Sequence, residues 1–188
     1  MSAFAERPMR LDDFLAWERD QELRYEFDGF VPVAMTGGTI AHSEIATNIV
    51  EALRRRLRGG PCSAFRGDLK ILVNGHVRYP DAMVTCSPVT GGTDIVPDPV
   101  VVFEVLSPST AGVDRIVKNA EYRATASIQH YVMLEQFRMA ATVFSRQGDD
   151  WIGRLMAGDG VLAFPELGIQ LPLHEAYENV AIPAEFSE

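Results

Sequence analysis

Residues 101–106 read VVFEVL, an apolar run broken by one carboxylate, and this is the pattern of a strand covered on both faces at the centre of a sheet. Working outward, Ser107-Pro108-Ser109-Thr110 stops the run, residues 114–126 have helical character, and residues 130–134, 141–145 and 151–156 return to strand-like composition. Upstream, residues 69–73 and 82–86 are further strand candidates. Ile45, Ile49, Ala52, Leu53 and Leu57 recur at three- and four-residue steps before Gly59-Gly60-Pro61, which predicts a helix of about four turns with a glycine stop. Residues 10–18 (RLDDFLAWE) predict a short amphipathic helix, and residues 24–27 and 30–35 flank Asp28-Gly29 as a hairpin would. Strands outnumber helices and helices are interleaved among them. The expected class is α/β or α+β, a mixed β-sheet core flanked by helices.

The chain has 188 residues, 47% hydrophobic and 23% charged, with no repeat and no linker-like stretch, so one domain over residues 1–188 is expected. Such a chain buries enough surface to fold without a structural metal. The longest apolar stretch, residues 97–106, is half of what spans a bilayer. No secretory leader is visible at the N-terminus, which makes the cytoplasm the default location. Cys62 and Cys86 are too few and too widely spaced for a zinc framework or a disulfide scaffold, and both are expected as packing thiols in a reducing compartment. The net charge of −9 argues at first against a polyanionic partner, but residues 147–188 form an acidic C-terminal segment with one basic and eight acidic residues. Residues 51–78 hold Arg54, Arg55, Arg56, Arg58, Arg66, Lys70 and Arg78 against Glu51 and Asp68, a basic stretch inside an acidic protein.

The residue that bears most on function is Glu104. A carboxylate inside an apolar strand needs a cationic partner, because its desolvation costs several kcal/mol. Two kinds of reading fit: a structural one, an ion pair with an arginine or a bent strand end that exposes the carboxylate, and a functional one, a metal or catalytic site. Asp81, after Pro80 at the entrance of another apolar strand (RYPDAMV), is an ordinary turn residue by itself, but two acids at neighbouring strand ends are what a hard cation such as Mg²⁺ requires. Asp114, Lys118 and Tyr122 share one helical face by spacing. Lys118 could reach the acids, or pair with Asp114 on the surface. Glu26 in RYEFDG alternates as an exposed strand position would, and His42 with Ser43 could begin and cap the helix. The arginines at positions 54–58 suit a helix C-terminus.

Taken in order, RYEFDG, MTGGTIAHSEI, RYPDAMV, VVFEVLSPST with Asp114, Lys118 and Tyr122, and SIQHYVML resemble the Uma-two group of restriction-endonuclease-like proteins, which share the PD-(D/E)XK nuclease core. The resemblance covers about residues 11–177. It implies Asp81 and Glu104 as ligands of one or two Mg²⁺ (or Mn²⁺) ions, and Asp81, Glu104, Lys118 and Glu26 as the catalytic set. His42, Tyr122, Arg54 and Arg58 are the expected substrate contacts. The family core places a lysine two residues after the second acid, but position 106 is Leu, and the resemblance supplies Lys118 from the following helix in its stead.

The function so implied is metal-dependent hydrolysis of DNA phosphodiester bonds by an endonuclease, with a homodimer expected because cutting both strands takes two sites. The alternative is a nuclease-fold module that binds nucleic acid or protein without cutting. A small-molecule metal hydrolase is disfavoured by the absence of HExxH, Cys/His-cluster and nucleophile-elbow motifs.

Overall fold

A computed structural model describes residues 8–35, 37–107 and 111–182. Helix α1 (Leu11–Glu18) leads into the hairpin of β1 (Tyr25–Phe27) and β2 (Pro32–Ala34). The turn between them is closed by the Asp28 carboxylate, which accepts from the backbone N–H groups of Phe30 and Val31, and by Gly29, whose φ of +88° a side chain would oppose. Helix α2 (Ile40–Leu57) follows, longer than its apolar repeat predicts because Thr39 caps it one turn earlier, accepting from the His42 backbone N–H. Next come β3 (Ser63–Arg66), β4 (Ile71–Val73), β5 (His76–Arg78), β6 (Ala82–Thr85) and β7 (Pro99–Leu106). Of the segment expected to end β7, residues 108–110 lie outside the described residues, as does Thr36 of the glycine-rich turn.

The helical segment after β7 has three parts: α3 (Ala111–Val113), a π-helical turn (Asp114–Lys118) and α4 (Asn119–Ala124). Then β8 (His130–Glu135), β9 (Ala140–Gln147), β10 (Asp150–Ala157), β11 (Val161–Phe164) and β12 (Ile169–Pro172) precede the short α5 (Leu173–Ala176).

The main sheet has the order β10-β9-β8-β7-β6-β3, with β7 and β8 parallel and the other pairs antiparallel. β7 is interior, as its composition predicts. Its side chains alternate between two cores: Val101, Phe103 and Val105 face α2 with Ile45, Ile49 and Leu53, whereas Val102 and Leu106 cluster with Tyr122 of α4 and Tyr131 of β8. Glu104 shares the second face by the same period.

A second sheet, β2-β1-β5-β4, packs Phe27 and Val77 against Phe14 of α1. Its buried polar staple is Lys70, paired with Glu18 and with Asp94 at 2.8 Å, while the Tyr79 hydroxyl donates to Glu18. That arrangement ties α1 to the strands through three groups that would otherwise be desolvated alone.

One sequence expectation is overturned here. Cys62 and Cys86 are joined in a disulfide, with Cα atoms 4.0 Å apart. The β3–β6 register pairs Ser63 with Thr85, so the next residues outward face each other across the ladder, and 24 positions of sequence separation close to one strand spacing. The inference from two free thiols to a reducing compartment therefore falls.

Candidate active site

The site forms where the two sheets meet α4. Ala82 of β6 lies opposite Phe103 of β7, and continuing that antiparallel register one step brings Asp81 opposite Glu104. The entry of Asp81 is fixed locally: one carboxylate oxygen, Oδ2, accepts from the Val105 backbone N–H at 2.7 Å, and the Asp81 carbonyl accepts from the Gly67 N–H at 3.1 Å. A side chain at position 67 would meet the Pro80 carbonyl at 3.2 Å, so glycine lets that turn lie against the Asp81 backbone. The His42 imidazole, carried by the first turn of α2, lies with Nε2 3.2 Å from Asp81 Oδ2.

Glu104 is buried, and its partners come from the helical segment. Tyr122 donates to Glu104 Oε1 at 2.7 Å, and the Lys118 ammonium lies 3.1 Å from the same oxygen. Lys118 also lies 3.0 Å from Glu26 Oε1. The partner that Glu104 requires is thus a lysine, not the arginine of the structural reading. Neither is the surface pair of Asp114 and Lys118 what forms: Lys118 is buried against Glu26 and Glu104, and the Asp114 side chain lies outside the described residues. The π-helical turn before α4 alters the register that spacing alone assumes, but Lys118 and Tyr122, one α-turn apart, still converge on Glu104. Burial first, then the charge of Glu104, drives the Tyr122 phenol well above its ordinary pKa, so it stays a donor.

Glu26 does not occupy an exposed strand position. Its Oε1 accepts from the Tyr79 N–H at 3.3 Å, and its Oε2 lies 3.3 Å from Arg78. Arg78 in turn makes a two-pronged bond to Glu121, both contacts 2.7 Å. Burial opposes the charge on Arg78, but its hydrogen bonding to Glu121 and the charges of Glu26 and Glu121 outweigh it and raise its pKa. Lys118, Glu121 and Tyr122 occupy one face of the helical segment and orient it toward Glu26, Arg78 and Glu104.

From sequence, Arg78 is only one charge of the basic stretch 51–78, and Glu121 carries no role. The available signal was spacing: Arg78 stands two residues after His76 in a short strand, and Glu121 stands three after Lys118.

The remaining candidates separate. A cavity of about 530 Å³ has Asp81, His42 and Arg54 in its wall, but not Glu104, Lys118, Tyr122 or Arg58. Tyr122 is fully buried, and Arg58 is exposed at the C-terminal cap of α2. Arg55 and Arg56 are held by Glu175, so the basic run at the end of α2 also fastens it to α5. As a donor set, Asp81 and Glu104 offer carboxylate oxygens suited to a hard dication. Among the described residues no group of three His, Cys, Asp or Glu side chains converges as a closed metal cage.

A family model described as "Putative restriction endonuclease" matches residues 11–174, which include Glu26, His42, Asp81, Glu104, Lys118 and Tyr122. The chain belongs to the Uma2 family. Within the curated proteins, slr1290 of Synechocystis sp. is 30% identical over 175 residues, covering 90% of this chain and 92% of that one. A second Synechocystis protein, sll1609, is 24% identical over 153 residues, covering 78% of this chain and 86% of that one. Among solved structures, a protein of Anabaena variabilis titled a "putative nuclease belonging to DUF820" superposes with a TM-score of 0.75 at 18% identity, covering 93% of this chain and all of that one. That likeness establishes a shared fold. The mixed sheet flanked by helices is thus the α+β architecture expected from sequence, shared with the Anabaena protein. No helix among the described residues is long and apolar enough to cross a membrane.

Proposed function

We propose that this Uma2 protein is a divalent-cation-dependent endodeoxyribonuclease that hydrolyses phosphodiester bonds at Asp81, Glu104 and Lys118, with Glu26 in support. The observation that carries the reading is the Lys118 ammonium, held between Glu26 and Glu104 at 3.0 and 3.1 Å beside the strand that brings in Asp81. Asp81 and Glu104 fit Mg²⁺ or Mn²⁺ as an open two-carboxylate site, because Mg²⁺ keeps several waters and takes substrate phosphate oxygens in place of a full protein cage. Such an ion, when bound, supplies a Lewis acid for a phosphoryl oxygen and lowers the pKa of an attacking water.

The protein's own groups do the positioning. The Val105 N–H holds one oxygen of Asp81, Tyr122 holds Glu104, and Lys118 supplies positive charge where negative charge grows on the phosphate. His42, on Asp81, lies in the wall of the cavity that a substrate enters.

A second reading, a nuclease-fold module that binds nucleic acid or protein without cutting, is favoured by one feature: Lys118 is already engaged with two acids. The two are separated by incubating supercoiled, linear and single-stranded DNA with the protein in Mg²⁺, Mn²⁺ or EDTA. Metal-dependent cleavage reduced at least about a hundredfold in both Asp81→Ala and Lys118→Met supports the enzyme. Cleavage that continues unchanged in Asp81→Ala is contamination and refutes it. Cutting of both strands implies a homodimer, which sedimentation measures.

A further inference from the structure

The cavity beside Asp81 is elongated by its construction. Its floor is one face of α2, running from His42 through Ser43, Ala46, Thr47 and Val50 to Arg54 at three- and four-residue steps. The twelve helical steps from His42 to Arg54 span about 18 Å. Between the ends, Ser43, Ala46 and Thr47 are small and Val50 is buried, so no large side chain of these stands up from the floor and it forms a track. Arg66, from the end of β3, and Arg24, just before β1, stand in the same wall.

Arg24, Arg54 and Arg66 are all exposed, and no carboxylate lies within ion-pairing distance of any of them among the described residues. Arg54 is held in place by donating through Nε to the Ala64 carbonyl at 3.1 Å. By contrast, Arg55 and Arg56, its neighbours on the outer faces of the same helix, are both spent on Glu175.

We propose that this track seats the phosphodiester backbone of a nucleic-acid strand, with Arg24, Arg54 and Arg66 binding phosphates away from the scissile one. This rests on the nuclease reading and adds to it where the substrate lies. One strand of a duplex carries a phosphate every 3.4 Å along the axis, so 18 Å corresponds to about five. Guanidinium groups suit phosphate because their planar donors bond two oxygens at once. Glu51 and Asp68 share the wall and, with Asp81, balance the three arginines. The track therefore holds a polyanion weakly until the charge of Asp81 is neutralised, and Asp68 opposes binding.

The test is fluorescence anisotropy of a labelled 12-nucleotide single strand and its duplex with the full chain, in Ca²⁺ to offset the charge of Asp81 and over a series of NaCl concentrations. Arg24→Ala, Arg54→Ala and Arg66→Ala should each weaken binding about fivefold and flatten the log–log salt slope by about 0.7 on the single strand or 0.9 on the duplex. The form that shows the loss is the one the track accepts. Arg55→Ala, away from the track, should leave both values as in the parent protein, and Asp68→Asn should tighten binding.

If the parent protein binds neither form at low salt, or if all three arginine variants keep its slope, the track is overturned. Cleavage that persists with an unchanged KM in those variants likewise removes the track but leaves the nuclease reading intact. Loss of slope in a protein that never cleaves keeps the track and refutes the nuclease.

Discussion

Replacing Arg78 with Met tests whether the buried ionic array behind the site is a mutually dependent unit. Arg78 is 3% exposed and is the main partner of Glu121, which is itself 7% exposed. Without the guanidinium, Glu26 retains Lys118 and the Tyr79 N–H, but Glu121 keeps only the His76 imidazole at 3.7 Å. Stranding one member of a buried pair costs about 3–5 kcal/mol. Against a total stability of about 5–15 kcal/mol this is a large share, and for a chain of this length it lowers Tm by roughly 10 °C. In Arg78→Met/Glu121→Leu no charge is stranded at position 121, and the double variant should lie within about 1 kcal/mol of the parent. Urea denaturation of the four proteins closes the cycle, with an expected coupling of at least about 2 kcal/mol. A single variant that loses less than about 1 kcal/mol would mean that water reaches Glu121, and the description of a dry, interdependent array would be wrong.

Reducing the Cys62–Cys86 bond, or replacing both residues by Ser, reopens a 24-residue loop and should cost about 3.5 kcal/mol by the chain-entropy relation, read as a lower urea midpoint with and without reductant. Tyr122→Phe removes the donor to Glu104 and should lower stability by about 1–2 kcal/mol by the same measurement, with far-ultraviolet circular dichroism unchanged. The hydrogen bond from Arg56, outweighing desolvation and aided by the charges of Arg56 and Arg55, holds the Glu175 carboxyl below its ordinary 4.5. Its contribution is therefore complete above the unfolded-state value and is lost as pH falls through the lower folded-state value. Tm measured from pH 7 to pH 3 should drop on that acid limb, and less steeply in Glu175→Gln.

The elements that sequence made visible are those whose burial leaves a long pattern. β7 is legible because both its faces are covered, and α2 because one face carries an apolar repeat over most of its length. β3 (SAFR) and β5 (HVR) carry too few apolar residues to register, yet they bring in Arg66, Arg78 and the cysteine pairing. In the site, Glu104 and Asp81 stood out as charges in or beside apolar strands. Arg78 and Glu121 did not, since each looks like an ordinary surface charge until the fold buries them together. The disulfide was missed because sequence separation says nothing of strand register.

The lysine shows how one position in space can be filled from two elements. Side chains two apart on a strand share a face, so a lysine at position 106 would lie on the same side of β7 as Glu104. Here Leu106 occupies that place and is buried among Val102, Tyr122 and Tyr131, where an ammonium would be desolvated with no water to reach. Lys118 comes to the same carboxylate from the helical segment on that side, and its charge is balanced by Glu26 as well as Glu104. The exchange makes the ammonium depend on the orientation of α4, and hence on the Arg78–Glu121 bond that fixes it, in a way that a strand lysine would not. Arg78→Met should therefore depress any cleavage through kcat while leaving binding to the arginine track unchanged, because the side-chain partners of Arg78 are Glu26 and Glu121, neither of which lines the track. An equal loss of cleavage and of DNA affinity in that variant would show that its damage is general unfolding, and that α4 does not carry the dependence.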